Sequence, residues 1–275
     1  MALVTLSEVL AIAQKEKIAV PAFNIDNIVI AEAIMEAAEN EQSPVILSIG
    51  QGVINFGQFY YLSDIAKRLA NNSTVPVVLH LDHGISFEQV ILCLRAGFTS
   101  VMYDGSHYDF SENITTSTAV IRAAHAVGVS VECELGAIQG VEDGISNSHV
   151  NLVDLQEVKE FISTVHCDAL AVGIGNAHGM YKATPHLDFY RLQACVDAGT
   201  PPLVLHGGSG LPDVLIRQAI EIGIRKINVA TEIRFAYIKG LGEKIQTNDI
   251  YAIEHQAKKH VFEVATKKIR LFLNK

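Results

Sequence analysis

The sequence predicts an α/β fold of the (β/α)8 TIM-barrel type, and three observations lead there. Eight short apolar segments of strand length alternate with segments of helical period along 275 residues. No linker or low-complexity stretch interrupts them, so residues 1–275 are expected to form a single catalytic barrel domain. Polar residues and glycines cluster just after the apolar segments, where a parallel barrel gathers its active site. A doubly wound open sheet is the alternative, but it would normally carry G-x-G-x-x-G after its first strand, and that motif is missing there.

The elements follow in order. Ser7 precedes a periodic segment that predicts a helix to Glu16, and Ala19 to Phe23 forms a short run ending at Asn24. A helix from Ile28 to Asn40 stops before Ser43-Pro44, and Val45 to Ile49 is the second strand. A helix near Phe59 to Leu69 leads to Pro76, which suits the start of the strand Val77-Val78-Leu79-His80-Leu81-Asp82-His83. Gly84 then turns the chain into a helix from Ser86 to Ala96. Ser100 to Tyr103 is the fourth strand, Asn113 to Val127 a helix closed by Gly128, and Val129 to Leu135 the fifth strand. A Gly-, Glu- and Asp-rich loop runs to about Val150. Helices at Leu155 to Thr164, Asp188 to Ala198 and Leu211 to Ile222 separate strands at Ala169 to Ile174, Pro202 to Leu205 and Lys226 to Glu232. The remainder is helical and charged.

Composition narrows the function. Apolar residues make up 49% of the chain, enough for a large core and against disorder. A net charge of −9 argues against a nucleic-acid surface, although backbone N–H groups can still bind an anion locally. No purely apolar window reaches membrane-spanning length, and the first residues lack a signal-peptide pattern, so no membrane partner is expected. Cys93, Cys133, Cys167 and Cys195 are far apart, with no C-x-x-C pair. Buried free thiols and a cytoplasmic location are expected.

The residues after the strands carry the chemistry. Asn24, Asp82, His83, Asp104, Glu134, His178, His206 and Asn228 would converge on one mouth despite their separation in sequence. His83, His178 and His206 each follow a strand and precede Gly, and three imidazoles leave a fourth position open on a tetrahedral zinc. Asp104 and Glu134 could support those ligands or form an additional cation site. His206-Gly207-Gly208-Ser209-Gly210 after strand seven and Asn228-Val229-Ala230-Thr231 at strand eight suit a phosphate, which barrels commonly bind there. Metal, phosphate and an adjacent carboxylate fit retro-aldol cleavage, sugar-phosphate isomerisation or metal-assisted hydrolysis, and residue chemistry alone leaves the three open.

Taken together, Leu79-His80-Leu81-Asp82-His83-Gly84, Asp104-Gly105-Ser106-His107, Glu132-Cys133-Glu134-Leu135-Gly136, Ala177-His178-Gly179-Met180-Tyr181, Leu205 to Gly210 and Lys226 to Thr231 resemble the class II, zinc-dependent ketose-bisphosphate aldolases, in order from about Ala19 to Glu232. The resemblance implies reversible cleavage of a ketose 1,6-bisphosphate into dihydroxyacetone phosphate and an aldehyde such as glyceraldehyde 3-phosphate. It implies Zn2+ on His83, His178 and His206, with a second divalent or monovalent cation near Asp104 and Glu134. Asp82 would carry the proton of the hydroxyl next to the bond that breaks, and Glu142 would exchange a proton with the ketone half. Gly179, Gly207, Gly208, Ser209, Asn228, Ala230 and Thr231, with Lys182, would hold dihydroxyacetone phosphate, and Asn24 matches a polar residue of the first strand. The family suggests a homodimer or homotetramer.

His178 to Tyr181 and Asn228 to Glu232 look more like tagatose-bisphosphate than fructose-bisphosphate aldolases. Gly50 stands where the family usually has Ser or Thr, Gln139 replaces a glycine before Glu142, and the C-terminal segment is short. These departures concern the aldehyde side and the loop, which leaves open a ketose 1-phosphate with another terminal group, such as a sulfonate. A Schiff-base aldolase would need Lys182 or Lys226, a metal-dependent barrel hydrolase would use the same histidines, and a binding protein could keep the barrel without activity.

Overall fold

The computed structural model of the chain describes residues 3–138, 140–142, 145–147, 152–181 and 183–275, with backbone alone at 141–142 and 145–147. The strands are β1 (Val20–Asn24), β2 (Val45–Ile49), β3 (Val77–Gly84), β4 (Ser100–Tyr103) and β5 (Ser130–Leu135), then β6 (Gly140–Glu142) and β7 (Ile145–Asn147), and last β8 (Ala169–Val172), β9 (Leu203–Leu205) and β10 (Ile224–Val229). Eight of them close into a barrel in the order β1-β10-β9-β8-β5-β4-β3-β2, every pair parallel. Each barrel strand lies beside its predecessor in that series, as short right-handed crossovers require. β6 and β7 form an antiparallel hairpin apart from the barrel, inside the loop after β5.

Helices cover the outside: α1 (Leu6–Glu16), α2 (Ile28–Glu41), α3 (Gln51–Asn55), α4 (Phe59–Asn72), α5 (Phe87–Arg95), α6 (Phe110–His125), α7 (Leu155–Thr164), α8 (Phe189–Asp197), α9 (Asp213–Ile222), α10 (Thr231–Lys244) and α11 (Ile250–Phe272). The first has a different task. Thr5 and Glu8 close a reciprocal capping box at its start, and Leu6, Val9, Leu10 and Ala13 are buried against the barrel interior with Val20, Ile46, Val78 and Val204. Ser7 fastens this helix to the barrel through Ser130 and Asp168, each at 2.8 Å. The bottom of the barrel is therefore dry and apolar. A second core fills the space between strands and outer helices.

Polarity rises towards the other end. Interior positions along β3, β4, β5 and β10 hold His80, Ser100, Glu132 and Lys226, all inaccessible to water. The next layer up holds Asn24, Asp82, Glu134 and Asn228, also buried.

The expected order of elements is observed with local shifts. α6 begins three residues earlier than its periodicity indicated, at Phe110. The last strand starts at Ile224 and stops at Val229, so Thr231 and Glu232 open α10 instead of ending the strand. α3 and the hairpin were not anticipated: both lie in turn-rich loops too short for a periodic signal. Among the described residues no helix is long and apolar enough to cross a membrane. All four cysteines are buried and free.

Candidate active site

Neighbouring side chains on a regular strand point to opposite faces, yet Asp82 and His83 both face the barrel mouth. A bulge reconciles the two. Leu81 pairs with Val101 but Gly84 pairs with Tyr103, so three steps on β3 oppose two on β4. His83 takes up the excess in the left-handed conformation, with φ of 48°. Gly84 follows because a Cβ there would lie 2.3 Å from the carbonyl oxygen of Met102. Gln51, from the first turn of α3, donates to the carbonyl oxygen of His83 at 2.8 Å and pairs with Gln89. The strained turn is thus held from outside the barrel.

Asp82 is buried, and each of its oxygens has one fixed donor. Asn24 donates to Oδ2 at 2.8 Å and Asn228 to Oδ1 at 2.9 Å. Burial raises its carboxyl, but the neighbouring His83, His206, Lys226 and His80 outweigh that, and its ionisation falls below the usual carboxylate range. An oriented, ionised carboxylate results.

The three histidines expected at the mouth converge. Their ring centroids are 4.9 Å apart for His83 and His178, 4.7 Å for His83 and His206, and 5.9 Å for His178 and His206. One ligand atom from each lies within 4.8 Å of the others, and His83, Asp104 and Glu134 form a second such group. His83 Nδ1 donates to Asp104 at 2.8 Å, and His206 Nε2 donates to Glu132 at 2.9 Å. The remaining nitrogens, His83 Nε2 and His206 Nδ1, face each other at 3.0 Å. Two imidazole lone pairs at that distance repel unless a proton or a cation lies between them, so this donor set fits a metal ion. Burial lowers the His83 ring, but the bond to Asp104 and the charges of Asp82, Asp104 and Glu134 prevail and raise it well above the ordinary value. Burial, with Asp104 beside it, raises the Glu134 carboxyl well above its own, and Glu134 Oε2 has no hydrogen-bond partner.

The glycine loop lies beside this cluster. A Cβ on Gly207 would meet the carbonyl oxygen of Ala177 at 2.1 Å, and one on Gly208 would meet the carbonyl oxygen of Asn228 at 2.8 Å. The segments after β8 and β9 and the end of β10 are thus packed backbone to backbone. Tyr181 binds two of them together, accepting from Ala177 N–H and donating to Gly207 O, each at 3.0 Å. Ala230 caps α10 and Thr231 is its first residue, while Ser209 Oγ accepts from Glu232 N–H at 3.2 Å. Within the turn Gly208 N–H donates to Asn228 O at 2.9 Å and Gly210 N–H to Glu232 Oε1 at 2.5 Å, so an anion here would be met chiefly by the start of the 14-residue α10 beside it. Beneath the turn, buried Lys268 of α11 pairs with Glu232 at 2.7 Å and reaches Gly208 O at 3.4 Å.

Of the expected residues, Asn24, Asp82, His83, Asp104, Glu134, His178, His206 and Asn228 lie together, with Gly207, Gly208, Ser209, Ala230 and Thr231 beside them. Gly179 follows His178 with φ of 85°. Glu142 ends β6, but its side chain, like the whole of Lys182, lies outside the described residues. Sequence reasoning missed Glu132, Gln51, Tyr181 and Lys268, whose roles come from partners distant in the chain. Lys226, which on the sequence is one of the two lysines a Schiff-base aldolase would need, belongs with His80 to a buried polar network: its Nζ lies 2.7 Å from Glu132 Oε2 and 3.4 Å from His80 Nε2.

Fold and site together define a (β/α)8 barrel whose mouth gathers a histidine cluster that could hold a metal ion, beside a glycine turn and a helix start. The family model for class II fructose-bisphosphate aldolases matches residues 4–275, and the chain belongs to that family. A fructose-bisphosphate aldolase of Geobacillus stearothermophilus is 44% identical over 246 residues, 88% of this chain and 86% of that one. A 6-phospho-5-dehydro-2-deoxy-D-gluconate aldolase of Shouchella clausii is 42% identical over 240 residues, 86% and 82% of the two chains. The crystal structure of the YdjI aldolase from Escherichia coli K12 superposes with a TM-score of 0.88 at 35% identity, covering 98% of this chain and 97% of that one. The protein is a class II aldolase, an enzyme acting on a sugar phosphate in a generally metal-dependent family.

Proposed function

We propose that this enzyme is zinc-dependent and reversibly cleaves a ketose 1,6-bisphosphate, tagatose or fructose, into dihydroxyacetone phosphate and glyceraldehyde 3-phosphate, with residues 1–275 acting as one catalytic unit. The observation that carries the reading is Asp82, ionised and clamped between Asn24 and Asn228, beside three converging imidazoles. Zinc held by His83, His178 and His206 supplies a Lewis acid for the ketone oxygen. Asp104 orients the His83 ring, and Glu134 with its unpartnered oxygen offers a place for a second cation.

In cleavage, Asp82 takes the proton of the hydroxyl next to the scissile carbon–carbon bond. The C–O bond becomes a carbonyl, the carbon–carbon bond breaks, and its electron pair stays on the ketone half. Glu142 delivers a proton to that carbon, completing dihydroxyacetone phosphate. The Gly207-Gly208-Ser209 turn, the start of α10 at Ala230 and Thr231, and Gly179 and Lys182 hold its phosphate. The buried thiols suit a cytoplasmic enzyme, and the family resemblance suits a homodimer or homotetramer.

The test is a substrate panel on purified enzyme: fructose and tagatose 1,6-bisphosphates, 6-phospho-5-dehydro-2-deoxy-D-gluconate and a sulfonated ketose 1-phosphate. Cleavage of a bisphosphate, lost to a strong chelator, restored by Zn2+ and indifferent to borohydride, is the expected result. Release of inorganic phosphate would indicate a hydrolase. Activity that survives chelation but not borohydride would indicate a Schiff-base lysine.

A further inference from the structure

A charge pair in the barrel's interior bears on the metal cluster without touching solvent. Glu132 on β5 and Lys226 on β10 are both fully buried, and their side chains meet at 2.7 Å across the barrel. Glu132 has two oxygens with two different partners: Oε2 accepts from Lys226, and Oε1 accepts from His206 Nε2–H at 2.9 Å. Lys226 also faces His80 Nε2 at 3.4 Å, and His80 Nδ1 lies 2.8 Å from Ser100 Oγ. Burial and the Lys226 charge push the His80 ring down to about 3, so it stays neutral. Burial raises the Glu132 carboxyl, but Lys226 and the bond from His206 bring it down to about 2. The alternative of removing this pair in favour of an apolar core would remove the acceptor that holds the proton of His206.

We propose that Glu132 and Lys226 are positioning residues that fix the tautomer of His206, keeping its proton on Nε2 so that Nδ1 is free to bind the metal. An imidazole carries one proton when neutral, and the bond made by one nitrogen determines what the other can do. Glu132 can only accept, so it holds the proton on Nε2. Lys226 holds Glu132 in turn, because an ammonium requires an oxygen in front of it. The proposal rests on the reading of His206 as a metal ligand.

An isosteric change separates this from a packing role. In Glu132→Gln the amide must choose an orientation. Lys226 cannot face the amide NH2, so the amide oxygen turns to Lys226 and the NH2 turns to His206. It then donates to Nε2, the proton moves to Nδ1, and the metal is blocked. Changing Lys226→Met in the same chain releases the amide. Its oxygen can turn back to His206 Nε2–H, with its NH2 near His80 Nε2, which lies 3.8 Å from Glu132 Oε2. The second substitution should therefore repair the first.

The readouts are the ring nitrogen signals of His206 in metal-free protein, assigned by comparison with His206→Asn, and Zn2+ affinity by competition with a chromogenic chelator. Glu132→Gln should show the proton on Nδ1 and bind Zn2+ about 10- to 100-fold more weakly. Glu132→Gln/Lys226→Met should return the proton to Nε2 and recover most of the affinity. A proton that remains on Nε2 in Glu132→Gln, or a double variant that binds no better than the single one, overturns the proposal. The underlying reading fails separately, if His206→Asn itself keeps full Zn2+ affinity.

Discussion

Replacing Asp82 with Asn tests the central assignment, because the site accepts the change with little disturbance. Asp82 Oδ2 and Oδ1 accept from the amides of Asn24 and Asn228. An amide at position 82 would set one NH2 against another. Asn24 Oδ1 and Asn228 Oδ1 have no partners of their own, so rotating one of these amides turns the conflict into a hydrogen bond. The variant should fold, and its imidazoles should keep their metal. What disappears is the proton carrier. General acid–base groups contribute about 10²–10⁴-fold, or about 3–5 kcal/mol of activation free energy at 1.36 kcal/mol per tenfold. Cleavage, followed by coupling the triose phosphates to a dehydrogenase, should fall by at least that factor. Metal content should match the parent, and proton exchange on dihydroxyacetone phosphate should persist, since Glu142 is assigned that proton. A variant that cleaves at nearly the parental rate, or one that has lost its metal, would refute the role given to Asp82.

Alanine at His83, His178 or His206 should abolish both turnover and bound zinc, which elemental analysis would detect. Zinc retained in full by all three variants would remove them from the ligand set. Gly207→Ala forces a Cβ to within 2.1 Å of the Ala177 carbonyl at a φ of 68°. Shifting that backbone should cost about 1–3 kcal/mol and raise KM for the phosphorylated substrate while leaving zinc in place. An unchanged KM would argue that the glycine loop does not hold the phosphate. Arg270 binds Glu41 at 2.8 Å and holds its carboxyl below the ordinary value. A lowered carboxylate contributes stability above its unfolded value and loses it as pH falls through its folded value. Arg270→Met should therefore lower Tm slightly at neutral pH, and the difference should vanish in acid. A gap that persists under acid conditions would assign the effect to packing of the Arg270 stem.

The barrel was readable because each strand announces itself locally. Val77-Val78-Leu79 and Ala169-Leu170-Ala171-Val172 are apolar runs of strand length, and both are buried as strands. The mouth was readable because barrel topology gathers strand ends whatever their separation, so His83, His178 and His206 could be grouped from their positions alone. The bulge at His83 was not readable. It depends on how β3 registers against β4, and no residue in Leu81-Asp82-His83-Gly84 states that register. The same holds for Lys226. On the sequence it is a lysine near a strand end, and only closure of the barrel sets it against Glu132, 94 residues away.

That closure also creates a charge problem whose solution points to the chemistry. Asp82, Asp104, Glu132 and Glu134 are buried around the histidine cluster, and the buried Lys226 lies among them. Lys226 balances Glu132, which leaves three carboxyls in a region where an uncompensated charge is costly. Protons answer part of this. The His83 ring is raised well above its ordinary value and so takes up a proton, and the Glu134 carboxyl is raised and so keeps one. Asp82 and Asp104 are both lowered, and both lie against His83. A divalent cation on the three imidazoles would supply the positive charge that these carboxylates otherwise draw from protons. Metal binding should then release protons, and affinity should weaken as pH falls through the range in which His83 takes its proton. On the proposed reading, the acids left unbalanced in the barrel are the complement of a metal ion, and Asp82, fixed by two amides and left ionised beside it, is the one placed to accept the substrate's proton.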